Sequence, residues 1–244
     1  MLAGLYSAAT GMNAAAERHE IIARNLAHAN VPGFRRQLMV SQTFESAIGK
    51  EFQPPSGREA WGVDAMDAVT DFEQGVLQRT NLPLDVAIDG KGFFTVMSPD
   101  GELLYTRNGT FQRSPSGELV TSEGYTVEGE GGAITIPPDV PLSRVSIGID
   151  GSVGADGAQF GKLQLIEFAD PSKLTPVGTT MFAAKDMESS TATGRLIQGS
   201  RELANVSAVE ELITMLVGMR HYEASQRALR SIADAVGQNT NPQS

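Results

Sequence analysis

The chain of 244 residues carries 19 Lys and Arg against 29 Asp and Glu, a formal net charge of −10 that opposes non-specific attraction to nucleic acid or an anionic lipid surface. It contains no Cys, which excludes a disulfide framework, a thiolate metal site and a Cys nucleophile, and no apolar run reaches membrane-spanning length. Aromatic residues make up only 6%, while 26 Gly and 12 Pro exceed what a helical bundle tolerates, so a turn-rich β portion is expected.

The first 29 residues contain no Pro and place Leu5, Ala9, Met12, Ala16, His19, Ala23 and Leu26 at alternating spacings of three and four, a heptad-like stripe on a helix. Three of its seven knobs are alanines, which permit close approach but bury little area, so this helix must dock onto something. The start, MLAGLYSAATGMNAAAERHE, has no basic segment followed by an unbroken apolar stretch, and it does not read as a cleavable signal peptide. Residues 37–81 are rich in Gly, Pro, Ser and Thr and read as an extended connector.

Between 82 and 185 the texture changes to strand-length runs: DVAI, FFTVM, LLYTR, ELVT, AITI, RVSIGI and KLQLIEF. Asp89-Gly90, Asp100-Gly101, Asp150-Gly151 and Asp156-Gly157 supply turns between them. This segment is expected to be an all-β domain, followed by a second connector over 186–203. From about Asn205 to Val236 a second helix presents Leu212, Met215, Leu216, Met219, Tyr222, Leu229, Ala233 and Val236 on one face. Asn205 or Ser207 is its expected cap, with Glu210 and Glu211 near the positive end of its dipole. The elements predict an α+β chain in which long N- and C-terminal helices (1–36 and 204–244) form a coiled-coil-like layer, with an inserted all-β domain and extended connectors.

Particular strings resemble the flagellar rod and hook family, the axial proteins of the bacterial flagellum. In ARNLAHANVPGFRR, Asn25, Leu26, Ala27, Pro32, Gly33, Phe34 and Arg35 match the family pattern at the end of the first helix, with His28 and Val31 where the family usually has Asn and Thr. TNLPLDVAIDGKGFFTV (80–96), followed by YTRNGTF, resembles the family's entry into its β domain. Asn205, Val206, Val209, Glu210, Glu211, Arg220, Tyr222 and Glu223 match the terminal helix, which here follows SRELANV instead of the common Glu-Gly-Ser-Asn-Val. Length and GEGGAITIP favour a basal-body rod protein over the longer hook protein, the proximal rod type being preferred over the distal.

The resemblance implies a subunit that assembles helically through its terminal helices, transmits torque and surrounds an export channel. It also implies location in the periplasmic rod of the basal body after export without a cleavable signal peptide. The implied partners are other flagellar rod and hook proteins, further copies of the chain and the flagellar export apparatus, with no nucleic acid and no membrane insertion. Expected subunit-interface residues are Leu5, Met12, Ile22, Asn25, Leu26, Gly33, Phe34, Val209, Leu212, Met215, Leu216, Met219, Tyr222 and Leu229.

No catalytic, cofactor-binding or metal residue is expected. The histidines, His19, His28 and His221, have no His at i+3 or i+4, and no GxSxG occurs. DGKG and GEGG lie between strand runs and match no phosphate loop, so they read as turns. GIDGSVGADG lacks the period of calcium repeats. Two rival readings follow: a secreted carbohydrate- or calcium-binding β module with helical flanks, and a hydrolase using Asp or Glu in a β-domain cleft.

Overall fold

The computed structural model describes residues 2–43, 63–185 and 187–240. Two helices, α1 (Leu2–His28) and α2 (Ala208–Thr240), bracket nineteen strands among these residues. The chain divides into two compact units. A helical unit comprises Met1–Ala27, Gln37–Thr70 and Ser207–Ser244, and a β unit comprises His28–Arg36 and Asp71–Val206.

The β unit is organised on β5 (Phe93–Met97), whose side chains alternate between two packed faces, as the period of two along a strand requires. Phe94 and Val96 enter the larger cluster with Leu104, Leu119, Val127, Ile134 and Ile136. Phe93 faces the other way, into a smaller cluster with Tyr105, Phe168, Leu174 and Phe182. β5 pairs antiparallel with β6 (Leu103–Thr106), β9 (Thr126–Gly129) and β14 (Leu165–Phe168), so a residue run of high β propensity becomes the centre of a ten-stranded sheet. β7 (Phe111–Arg113), β8 (Leu119–Thr121), β10 (Gly132–Ala133), β15 (Thr175–Val177), β16 (Met181–Ala183) and β17 (Ser189–Thr191) complete that sheet.

A second sheet joins β11 (Val145–Ile147), β12 (Ser152–Ala155) and β13 (Ala158–Lys162). Its hairpin turn is Asp156-Gly157, with φ of 50° and 85°, the pair of positive angles that a two-residue turn of type I′ demands. The segment GIDGSVGADG is thus hairpin and turn. Within it, the Ser152 hydroxyl and backbone N–H donate to Asp150 and hold its carboxyl below the usual range.

The α+β expectation, long terminal helices forming a coiled-coil-like layer joined by extended connectors, is overturned. More of the described residues lie in strands than in helices, and the described side chains of α1 and α2 do not bury a heptad seam. Leu212, Leu216 and Met219, expected on that seam, are 47%, 59% and 49% exposed. Three of the seven residues on the α1 stripe, Ala9, Ala16 and Ala23, are alanines, which offer a second helix little apolar area. Nor are the stretches read as extended connectors free of paired strands. Residues 37–81 contribute β1 (Gln37–Thr43) and β2 (Val63–Thr70), which pair with each other, and β3 (Leu77–Arg79). Residues 186–203 contain β17, β18 (Arg195–Gln198) and β19 (Ser200–Glu202). β18 pairs with β4 (Val86–Asp89) and β19 with β3, partners more than a hundred residues away that local composition does not reveal. Part of the first connector, 44–62, and residue 186 lie outside the described residues.

Candidate functional site

Two features stand out, one in each unit. In the helical unit, α2 begins on Ser207, whose hydroxyl accepts from the Glu210 backbone N–H at 3.4 Å, and Glu210 and Glu211 occupy the first turn where the helix dipole favours anions. From there Val209, Leu212, Ile213, Leu216, Val217 and Met219 form an exposed apolar face, while Met215, Tyr222 and Leu229 are half-buried. A run of large apolar side chains held in water along one helix makes this face the candidate contact surface. Gly218 lets α2 pass close to α1: a Cβ there would lie 3.1 Å from the His19 ring, so that histidine is a packed polar residue.

The expected α1 residues divide. Ile22 and Asn25 are buried, Met12 and Leu26 half-buried; Leu5 lies in α1, but its side chain is outside the described residues, as are those of Ala233 and Val236. Asn25 uses its whole amide on the start of β1. Its Nδ2 donates to the Gln37 carbonyl at 2.8 Å, and its Oδ1 accepts the Gln37 N–H at 2.9 Å. Asn is suited to this because one side-chain amide reproduces both halves of a backbone pairing.

In the β unit, Gly33 and Phe34 are also buried within the chain. Gly33 has φ +72°, and a Cβ would fall 2.3 Å from the Asn108 backbone nitrogen, so only glycine fits. Its N–H donates to the Glu202 carbonyl at 2.9 Å, and Phe34 is covered, with the His28 ring at 5.2 Å. Next to them Arg35 is fully buried and donates through Nη2 to Glu202 Oε1 at 2.6 Å. That oxygen also accepts the Gly75 N–H at 2.8 Å, while Arg107 Nη1 approaches Oε2 at 3.5 Å. Arg107 lies over the Phe93 ring at 5.4 Å and donates to the Gly90 carbonyl. Burial pushes its pKa down to about 10; Glu202 pulls it up and Arg35 down, so it stays charged near neutral pH.

Three residues on, Asn205 is not the helix cap. Its Oδ1 accepts the Arg36 N–H at 2.7 Å, and its Nδ2 donates to the carbonyls of Asp71 and Glu73 at 3.0 and 3.1 Å. YTRNGTF is explained by the same region. Arg107 is the buried cation, Asn108 Oδ1 accepts the Thr110 N–H, and a Cβ at 109 would collide with the Val86 carbonyl.

Sequence reasoning left Arg107, Glu202 and the bonding role of Asn205 unread. Arg35 and Glu202 are 167 residues apart, and no spacing rule links them. The available signal was charge in otherwise apolar or turn-forming strings, FRR and SREL.

A cleft of ≈ 480 Å³ in the β unit is lined by Phe72, Lys91, Phe93, Arg107, Glu167 and Glu188 among others. Glu167 faces Lys91 at 3.7 Å, and the aromatic floor belongs to the smaller core cluster. Among the described residues no group of three or more His, Asp or Glu is placed to hold a metal ion, and no helix is long and apolar enough to cross a membrane.

Three family models match. One described as flagella basal body rod protein covers residues 5–35, one described as flagellar hook protein FlgE/F/G D1 domain covers 87–155, and one described as flagellar basal body rod FlgEFG protein C-terminal covers 197–237. Among curated proteins, the chain is 32% identical to the flagellar basal-body rod protein FlgG of Borreliella burgdorferi, over 97% of each chain. It is 33% identical to FlgG of Caulobacter vibrioides, again over 97% of each. With the flagellar basal-body rod protein FlgF of Salmonella typhimurium it shares 31% identity, over 93% of this chain and 94% of that one.

Proposed function

The chain belongs to the flagellar basal-body rod protein family, a structural subunit of the flagellum, and from that premise we propose that it assembles helically with further copies and other axial proteins through its terminal helices. The observation that supports this reading is the apolar face of α2. Val209, Leu212, Leu216 and Met219 stay about half exposed, although covering the rest of each side chain would gain about 1 kcal/mol. Neighbouring subunits are the proposed cover. The ends would then order fully only on addition to a growing rod, since fixing each backbone residue costs about 1–2 kcal/mol that Ala-rich α1 does not recover alone.

On this reading the protein works in the periplasmic part of the basal body, reaches it through the flagellar export apparatus, and surrounds a channel while passing torque along the rod. Its role is mechanical, not catalytic. The division of the chain is proposed to follow the same logic: terminal segments for assembly, the β-rich middle for the outer contacts.

Hydrogen exchange read peptide by peptide tests this on the dilute full-length chain and on the same chain in isolated basal bodies. Strong protection within 71–206 in the dilute chain, spreading to 2–27 and 208–240 in the assembly, is expected. Equal protection of both helices in the dilute state would sink coupled ordering.

A further inference from the structure

The hydrogen bonds around Glu202 and Asn205 gather the passages through which the chain leaves and re-enters the β unit. The exit, 33–36, is bound at Gly33 N–H by the Glu202 carbonyl, at the Arg35 guanidinium by its carboxylate and at Arg36 N–H by Asn205 Oδ1. The stretch 71–76 is bound to the same two residues: Gly75 N–H to the Glu202 carboxylate, the Asp71 and Glu73 carbonyls to Asn205 Nδ2. Asp71 N–H also reaches the Arg36 carbonyl at 2.8 Å, and Leu203 N–H the Val76 carbonyl at 2.9 Å. Much of 33–36 and 71–76 is irregular, so side chains supply partners that a sheet ladder would otherwise give.

We propose that Glu202 and Asn205 form a latch that holds the chain's exit at Arg36 and its return at Asp71 as one fixed pair within the β unit. Each residue type is specific. A carboxylate is needed to meet the buried Arg35 and Arg107 while accepting Gly75 N–H, and Asn is the shortest side chain offering one acceptor and two donors at once. The latch brings together residues 167 apart, so it closes only after nearly the whole chain has been delivered. Its mechanical consequence rests on the rod reading: load on the β unit reaches both emerging segments together instead of stretching two independent tethers.

The chain has no Cys, so spin labels at Asn30→Cys and Glu73→Cys, both exposed positions of the β unit, report the spacing of the two segments by pulsed electron resonance. In the dilute full-length chain a single narrow distance is expected. Asn205→Ala should at least double the width of the distribution while circular dichroism still shows a folded β unit, and the surface control Gln159→Ala should leave it unchanged. Glu202→Gln should broaden it as well; if that variant fails to fold, Asn205→Ala decides alone. An unchanged narrow distribution in Asn205→Ala overturns the latch. Complementation of a rod-deficient strain separates the two ideas. Failure of the wild-type chain to restore motility rejects the rod reading while the distances still judge the latch. A broadened Asn205→Ala chain that swims like wild type overturns the mechanical consequence.

Discussion

The β unit and α2 treat the same kinds of side chain in opposite ways. In the β unit even charged groups are enclosed: Arg35 and Glu202 have no side-chain exposure, and Leu119, Phe94 and Ile88 are fully buried. Along α2, large aliphatic residues stand in water and few described side chains are covered. A region that buries its apolar groups and pairs its buried charges within itself is stable alone; one that leaves its apolar face in water is stable with company. Substitutions in the two regions should therefore fail by different assays.

Glu202→Ala should have the largest effect on folding. It strands two buried guanidinium groups, and losing one partner of a buried pair costs roughly 3–5 kcal/mol. Urea unfolding followed by circular dichroism should show the midpoint collapsing, with partial recovery in Arg35→Met/Glu202→Leu, where the Arg35–Glu202 pair is gone and Arg107 alone loses its carboxylate. A single variant as stable as wild type would remove the ion pair from the account of the β unit. Leu119→Ala in the larger cluster should cost about 3 kcal/mol, because the cavity lies among strands that cannot collapse around it. It should affect assembly only in proportion to the unfolded fraction.

Ser207→Ala is next. The cap bond is long at 3.4 Å, so a loss near the lower end of the usual range, about 0.5–1 kcal/mol, is expected, confined to α2. Far-ultraviolet ellipticity should fall slightly while the melting of the β unit stays put. A shift of the β-unit transition would mean that the two regions are less separable than their burial suggests.

How far the sequence foretold this contrast depends on the range of the interactions. The three-and-four spacing of Leu212, Met215, Leu216 and Met219 announced α2, and the strand runs with Asp-Gly turns announced the β middle, because both signals are local. Ser207 was visible as a cap for the same reason. The pairing of β18 with β4 and β19 with β3 was not legible, so stretches that join the sheets were read as connectors. Asn205 was read as a possible cap, yet its partners are Arg36, Asp71 and Glu73. Gly33 and Phe34 carried a recognisable string, but whether they faced a neighbour or their own chain depended on Asn108 and Glu202, which only the fold brings near.

Leu216→Asp has the smallest expected effect on stability and the most pointed use. Leu216 is 59% exposed, so a charge there loses little burial in the isolated chain, and surface changes of this kind usually stay within about 0.5 kcal/mol. In a subunit contact the same carboxylate would enter an apolar interface without a partner, which is costly. The variant should melt with wild type and fail to enter basal bodies when expressed in a strain lacking the native subunit, as judged by its absence from purified structures. Incorporation at wild-type level would show that the exposed face of α2 is not an assembly contact, and the contrast between the two regions would lose its functional meaning even though every burial value stood.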